Sequence, residues 1–393
     1  MGSPPTIVVV AHARPESTDR LLRSVLSADV EPGTDLVVSV DRAAAGEARS
    51  LSDAVIALAN DVEWLHGAKQ VLVHDAIGLV AHFEACGGLA DDHGAVILLE
   101  DDLLVGNGFQ RWAVAALAHA ETDDRIAGVS LARPAHDGYR GLRFEPVDDG
   151  TDAVYAQVPW YDGMAFTGSM WQSLQAPADP STTLHPALDE LGDDEWFPEL
   201  MRHLVERDRW WMLPRSSHGT GTGAAGAHFD DRTDWFQVEL AVAAPQTFRF
   251  ASLDESRSIY DDHMEPTAAG LARLGVNAGE WVIDLGGTRA LDGLDSAQLV
   301  LTTRPTTDPV RTWGTAMHPL VMNVVAGEPG AGISLARVDS VDTSRDGDEQ
   351  SLATLRRHHR IVPTKGAAID VLAPGSRRWI RQLRERAQSV RNV

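Results

Sequence analysis

The sequence predicts an α/β protein: a mainly parallel sheet flanked by helices, followed by a second, smaller α/β domain. Apolar runs of strand length alternate with segments of helical period over roughly the first 120 residues. Residues of catalytic type collect at the carboxyl ends of those runs. At 393 residues the chain exceeds one ordinary domain.

The elements follow in order. "TIVVVA" (residues 6–11) reads as a buried strand. After Pro15, Leu21, Leu22, Val25 and Leu26 recur at helical spacing. "DLVVSVD" (35–41) is a second strand and 43–60 a helix; "QVLVH" (70–74) is a third strand and 77–89 a helix; "AVILL" (95–99) is the fourth strand and 109–120 a helix. Ligands of such sheets sit beyond the carboxyl ends of the strands. Arg14, Asp41, His74 and the acids Glu100, Asp101 and Asp102 all fall there. "VYAQVPWYDGMAFTGSMW" (154–171) predicts a strand, a turn and a helix start, and "DDEWFPELMRHLVERDRWWMLP" (193–214) a helix leading into a strand. "EWVIDLGG", "AQLVLTT" and "PLVMNVVAG" predict three further strands with weak helices between, and 376–393 a basic amphipathic helix. The expected units are residues 1–250, 251–375 and 376–393.

Composition narrows the function. A formal net charge of -23 disfavours broad binding to nucleic acid. The only two lysines, Lys69 and Lys365, lie outside any G-x-x-x-x-G-K-[ST], which excludes a P-loop. H-E-x-x-H and G-x-S-x-G are absent as well. No apolar stretch is long enough to span a membrane, and no basic segment precedes the first apolar run as in a signal peptide. Cys86 is the single cysteine, so a reducing cytoplasm is the expected location.

"AVILLEDDLLVGNGF" holds the strongest signal. Three carboxylates at the end of a buried strand repel one another and resist dehydration. Hard oxygen ligands at a strand end suit Mg²⁺ or Mn²⁺ shared with a diphosphate. The competing reading is an acidic turn that caps the next helix.

"IVVVAHARPES", with the Leu-rich helix after it, and "VILLEDD" followed by "GF" resemble the GT-A glycosyltransferases, most nearly N-acetylglucosaminyltransferase I and its bacterial relatives. The resemblance implies a GT-A fold, with a Rossmann-like mixed sheet, and a UDP-sugar donor. It places Ala11 and Arg14 at the nucleotide, Asp41 on the uracil imide, His82 near the uridine, Glu100 and Asp101 on the ribose and nearby groups, and Asp102 on the metal, Mn²⁺ or Mg²⁺. "PRSSHGTGTGAAGAH" resembles the loop that closes over the diphosphate, which brings in Ser216. "DDEWFPELMR" resembles the stretch carrying the catalytic base, which points to Asp194, then Asp193, then Glu195. The tryptophan that precedes the two acids in the family is missing here, and the loop lacks the family's basic residues.

An inverting transfer needs a carboxylate that takes the acceptor's hydroxyl proton. The "DDE" run also reads as a helix cap. "GTGAAG" reads as a lid or a plain flexible loop; His218 and His228 are candidate further metal ligands; Trp160 and Tyr161 either stack on a sugar or pack. The expected function is a metal-dependent, inverting hexosyltransferase acting on a hydroxyl of a glycan or glycoconjugate. The alternatives are a non-catalytic nucleotide-sugar or glycan-binding module and a sugar-nucleotide nucleotidyltransferase. The arginine-rich tail, with Trp379, Ile380, Leu383 and Ala387 on one side, suits peripheral contact with the inner face of a membrane or packing on the protein itself.

Overall fold

The computed structural model describes residues 3–137, 142–185, 188, 196–223, 237–243 and 245–344. Three β-α units come first. They are β1 (Thr6–Ala11) with α1 (Pro15–Leu26), β2 (Leu36–Arg42) with α2 (Gly46–Asp61), and β3 (Lys69–Asp75) with α3 (Leu79–His93). Next come β4 (Ala95–Glu100), β5 (Leu103–Val105), α4 (Phe109–Ala120) and β6 (Ile126–Ser130). β7 (Ala153–Ala156), β8 (Met164–Thr167), α5 (Gly168–Leu174), α6 (Phe197–Glu206), β9 (Trp210–Pro214), β10 (Gly219–Gly221) and β11 (Ile259–Tyr260) complete the larger part.

Among the described residues nine of these strands form one sheet in the order β11-β7-β9-β6-β8-β4-β1-β2-β3, and β5 and β10 pair separately. β1, β2, β3 and β4 run parallel. β8 lies antiparallel between β4 and β6, which makes the sheet mixed. Helices cover both faces at its centre, so β1 and β4 need apolar side chains in both directions, and their continuous Val, Ile and Leu runs meet that need. α1 starts with Pro15 at its first turn, where no backbone donor is required, and buries Leu21, Leu22 and Val25. α5 is capped by Thr167, whose hydroxyl accepts the N–H of Met170. Close packing is severe at Gly87 and Gly128: a Cβ there would lie 2.3 Å from the rings of Trp171 and Trp211 respectively.

A second sheet, β12-β13-β15-β14, follows, built from β12 (Val282–Asp284), β13 (Leu299–Thr302), β14 (Arg311–Trp313) and β15 (Ile333–Arg337), with α7 (Ala268–Arg273) and α8 (Val321–Ala326) beside it. It has its own core around Ile283, Leu301, Trp313 and Leu335. Two expected strands are present, but "PLVMNVVAG" is α8 and not a strand. Gly327 closes that helix in the left-handed conformation, and the buried Asn323 amide ties it to the backbone of Met317 and Leu320. A short apolar run does not by itself separate strand from helix. β14 and β15 take the remaining sheet positions. The tail at 376–393 lies outside the described residues. Among the described residues no helix is long and apolar enough to cross a membrane.

Candidate functional site

The parallel strands deliver Arg14, Asp41, His74 and Glu100 to Asp102 to one edge of the sheet. Asp101, 2% exposed, accepts the backbone N–H of His12 and pairs with Arg14 at 2.5 Å. Arg14 also reaches Asp102 at 3.1 Å. One guanidinium thus spans two of the three acids. Burial and the neighbouring charges of Asp102, Asp101 and Asp162 push the Glu100 carboxyl up to about 8. Burial raises Asp101 to about 6 against the pull of Arg14. These shifts measure the cost of crowding like charges at a dehydrated strand end.

A fourth carboxylate, Asp162, belongs to this group. It lies in the turn before β8, 2% exposed, and accepts the indole N–H of Trp160. Burial, then the charge of Asp102, holds it up at about 7. The sequence predicts a turn within "VYAQVPWYDGMAFTGSMW" and does not single out Asp162.

Asp41 is buried, and its two carboxylate oxygens accept the N–H groups of Ile77 and Gly78. It therefore shapes the approach to α3, where Gly78 adopts φ 87°. Its oxygens retain lone pairs for a further donor. His12 Nδ1 lies 2.5 Å from the Asp41 carbonyl oxygen. His82, 3% exposed, shares a hydrogen bond with the Ser39 hydroxyl, and burial depresses its imidazole to about 4, so it is neutral at pH 7. Ala11, Arg14, His82, Glu100 and Asp101 together line one cavity of about 80 Å³. Tyr161, Phe83 and Trp196 close it. Phe83 and Trp196 stack with centroids 4.2 Å apart.

Other candidates separate from this cavity. Ser216 is exposed between β9 and β10 and does not line it. The first glycines of the expected loop form β10, which pairs antiparallel with β5 directly after the acids; the Thr222 N–H then donates to the Asp102 carbonyl. Trp160 packs, 5% exposed, under Tyr161, and only Tyr161 reaches the cavity. His218 is not placed as a ligand. Its ring is 2% exposed, stacked on Trp112 and edged by Phe248. Asp193, Asp194, Glu195 and His228 lie outside the described residues. Among the described residues, the group of three carboxylate or imidazole side chains with donor atoms within 4.8 Å of one another is Asp261, Asp262 and His263. It sits at the end of β11, which runs opposite to β4. Asp261 there accepts the N–H groups of His263 and Glu265 and pairs with Arg289, so its charge is already matched.

The buried His218 has a measurable consequence. Its imidazole falls from the ordinary 6.5 to about 4 because burial disfavours the cation. The folded protein then binds fewer protons than the unfolded chain in that window. The contribution is complete above pH 6.5 and is lost as pH falls toward 4. His218→Phe is expected to gain about 2–3 kcal/mol on wild type between pH 7 and pH 4.5, read from denaturant melts. Parallel losses in the two proteins would show an imidazole that is protonated freely.

The site is that of an α/β protein with an acidic, arginine-bridged strand edge. Two solved structures are similar to it. S. aureus TarS (residues 1–349) shares 11% identity over 56% of this chain and 61% of its own, with a TM-score of 0.37. GalNAc-T7, solved with UDP, GalNAc and Mn2+, shares 15% over 53% of this chain and 41% of its own, with a TM-score of 0.36. The chain thus spans less than two thirds of either one. No protein-family model and no curated protein sequence matches the chain.

Proposed function

We propose that the chain is a metal-dependent, inverting glycosyltransferase that moves a sugar from a UDP-sugar to a hydroxyl of a glycan or glycoconjugate. The observation that carries this reading is the convergence of Arg14, His82, Glu100 and Asp101 on one small cavity at the carboxyl edge of the sheet. The donor set fits a hard divalent cation: Asp102, 29% exposed, offers a carboxylate beside crowded acids whose repulsion a cation relieves. Bound Mn²⁺ or Mg²⁺ supplies positive charge to the departing diphosphate. Arg14, held on Asp101, adds a second positive charge at the same edge. Neutral His82 and the Asp41 carboxylate orient the uridine. Asp194, or Asp193 beside it, accepts the proton of the attacking hydroxyl, and Ser216 belongs to the loop over the diphosphate. Residues 251–375 are assigned an accessory role in this scheme, and the arginine-rich stretch 376–393 is assigned either peripheral contact with an anionic membrane surface or packing on the protein itself.

Nucleotide choice tests the reading. The Asp41 carboxylate accepts the imide N–H of uracil, which cytosine lacks. UDP is expected to bind more tightly than CDP in the presence of Mn²⁺. Asp41→Asn is expected to erode that difference by about 1–3 kcal/mol. Taking the UDP-to-CDP ratio by calorimetry cancels any loosening of the Ile77 and Gly78 contacts. Equal affinities in the wild type count against the assignment.

A further inference from the structure

β1 stands between β2 and β4 in the sheet, so whatever its carboxyl end presents lies between Asp41 and the acids. The turn there is short: it runs from His12 to Arg14, and Pro15 then starts α1. The β1–β2 ladder ends at the pair Ala11–Val40. One residue further on, His12 is tied in both directions. Its backbone N–H donates to the Asp101 carboxylate at 3.2 Å, and its Nδ1 lies 2.5 Å from the carbonyl oxygen of Asp41.

The second contact fixes the ring. A carbonyl oxygen only accepts, so Nδ1 carries the proton. In the neutral imidazole Nε2 is then an acceptor with a lone pair. Among the described residues Nε2 has no hydrogen-bond partner. His12 is exposed and lines the cavity that also holds Arg14, His82 and Glu100. An acceptor held in that orientation matches a ligand that brings an O–H or N–H. A diphosphate offers only acceptor oxygens and finds no partner in it.

We propose that His12 Nε2 accepts a hydrogen bond from a hydroxyl of the donor's ribose, and so selects ribonucleotides over their deoxy counterparts. This rests on the transferase reading above. With uracil on Asp41 and the diphosphate at the acids, the sugar that joins them spans the end of β1. Its hydroxyls supply the O–H that this position lacks. Asp101 already serves Arg14 and the His12 N–H, which leaves the imidazole to read the sugar. Asp41 and His12 thus divide the nucleoside: the first reads the base, the second the ribose.

Calorimetry with Mn²⁺ compares UDP with 2′,3′-dideoxy-UDP on the full-length wild type and on His12→Ala. The wild type is expected to bind UDP about tenfold or more tightly than the dideoxy analogue. His12→Ala is expected to cut that preference about fivefold, the scale of one neutral hydrogen bond, by weakening UDP and sparing the analogue. A turn that is merely loosened weakens both nucleotides alike, and an unchanged ratio overturns the assignment. Imidazole ¹⁵N shifts of the wild type at pH 8 give a second reading that needs no variant. Nε2 of His12 is expected to be unprotonated in the free protein, to move with UDP and to stay with the analogue. A proton on Nε2 in the free protein, or equal movement with both nucleotides, overturns the assignment. UDP binding without ribose preference rejects His12 alone. No UDP binding rejects the transferase reading, and the role of His12 with it.

Discussion

Asp102→Ala is expected to abolish the Mn²⁺-dependent part of UDP binding. The carboxylate stands at a crowded acidic edge with 29% of its side chain exposed beside Arg14, against 2% for Asp101. The loss is expected at roughly a hundredfold or more, which at 1.4 kcal/mol per decade is about 3 kcal/mol. The fold should survive. Asp102 is the largest of the charges that push Glu100 up, so its removal relieves repulsion in the unliganded protein. Calorimetry with and without Mn²⁺, alongside a thermal melt, separates the two effects. A variant that keeps the metal-dependent affinity of the wild type rejects Asp102 as the ligand.

Asp194→Asn is expected to retain UDP binding and to lose turnover by about 10²-fold or more, the scale of a positioned general base. An asparagine keeps the shape and cannot take the proton. Steady-state kinetics on Asp194→Asn, Asp193→Asn and Glu195→Gln distinguishes the three neighbours. The largest loss at Asp193 or Glu195 moves the assignment to that residue. Full activity in all three places the base elsewhere.

Much of this site is legible in the chain itself because of where its strands lie. β1 and β4 are covered on both faces, so they are written as unbroken apolar runs. Any charge at their ends then stands out, and Arg14, Asp41 and Glu100 to Asp102 are found that way. What stays hidden depends on contacts between distant segments. Asp162 reaches the acids only because β8 folds back antiparallel against β4. β10 pairs with β5 across more than a hundred residues, and nothing local in "GTG" announces it. The stack of Phe83 on Trp196 joins α3 to the entry of α6, and either ring alone reads as core. α8 reads as a strand in the sequence because five apolar residues around Asn323 carry no decisive period.

The two halves of the Arg14 bridge are unequal, and that inequality makes it a pivot. The contact to Asp101 ends on a carboxylate that is 2% exposed and is fixed further by the His12 N–H. The contact to Asp102 joins two side chains that are 32% and 29% exposed. Pairs of that second kind are worth about 0–1 kcal/mol. On the proposed reading, an incoming cation would compete only with the loose hand. The guanidinium stays tethered to Asp101 while the other side of its fork is released at the same edge. Exchange of the Asp102 partner leaves the arginine's address unchanged, because the Asp101 contact holds it in place.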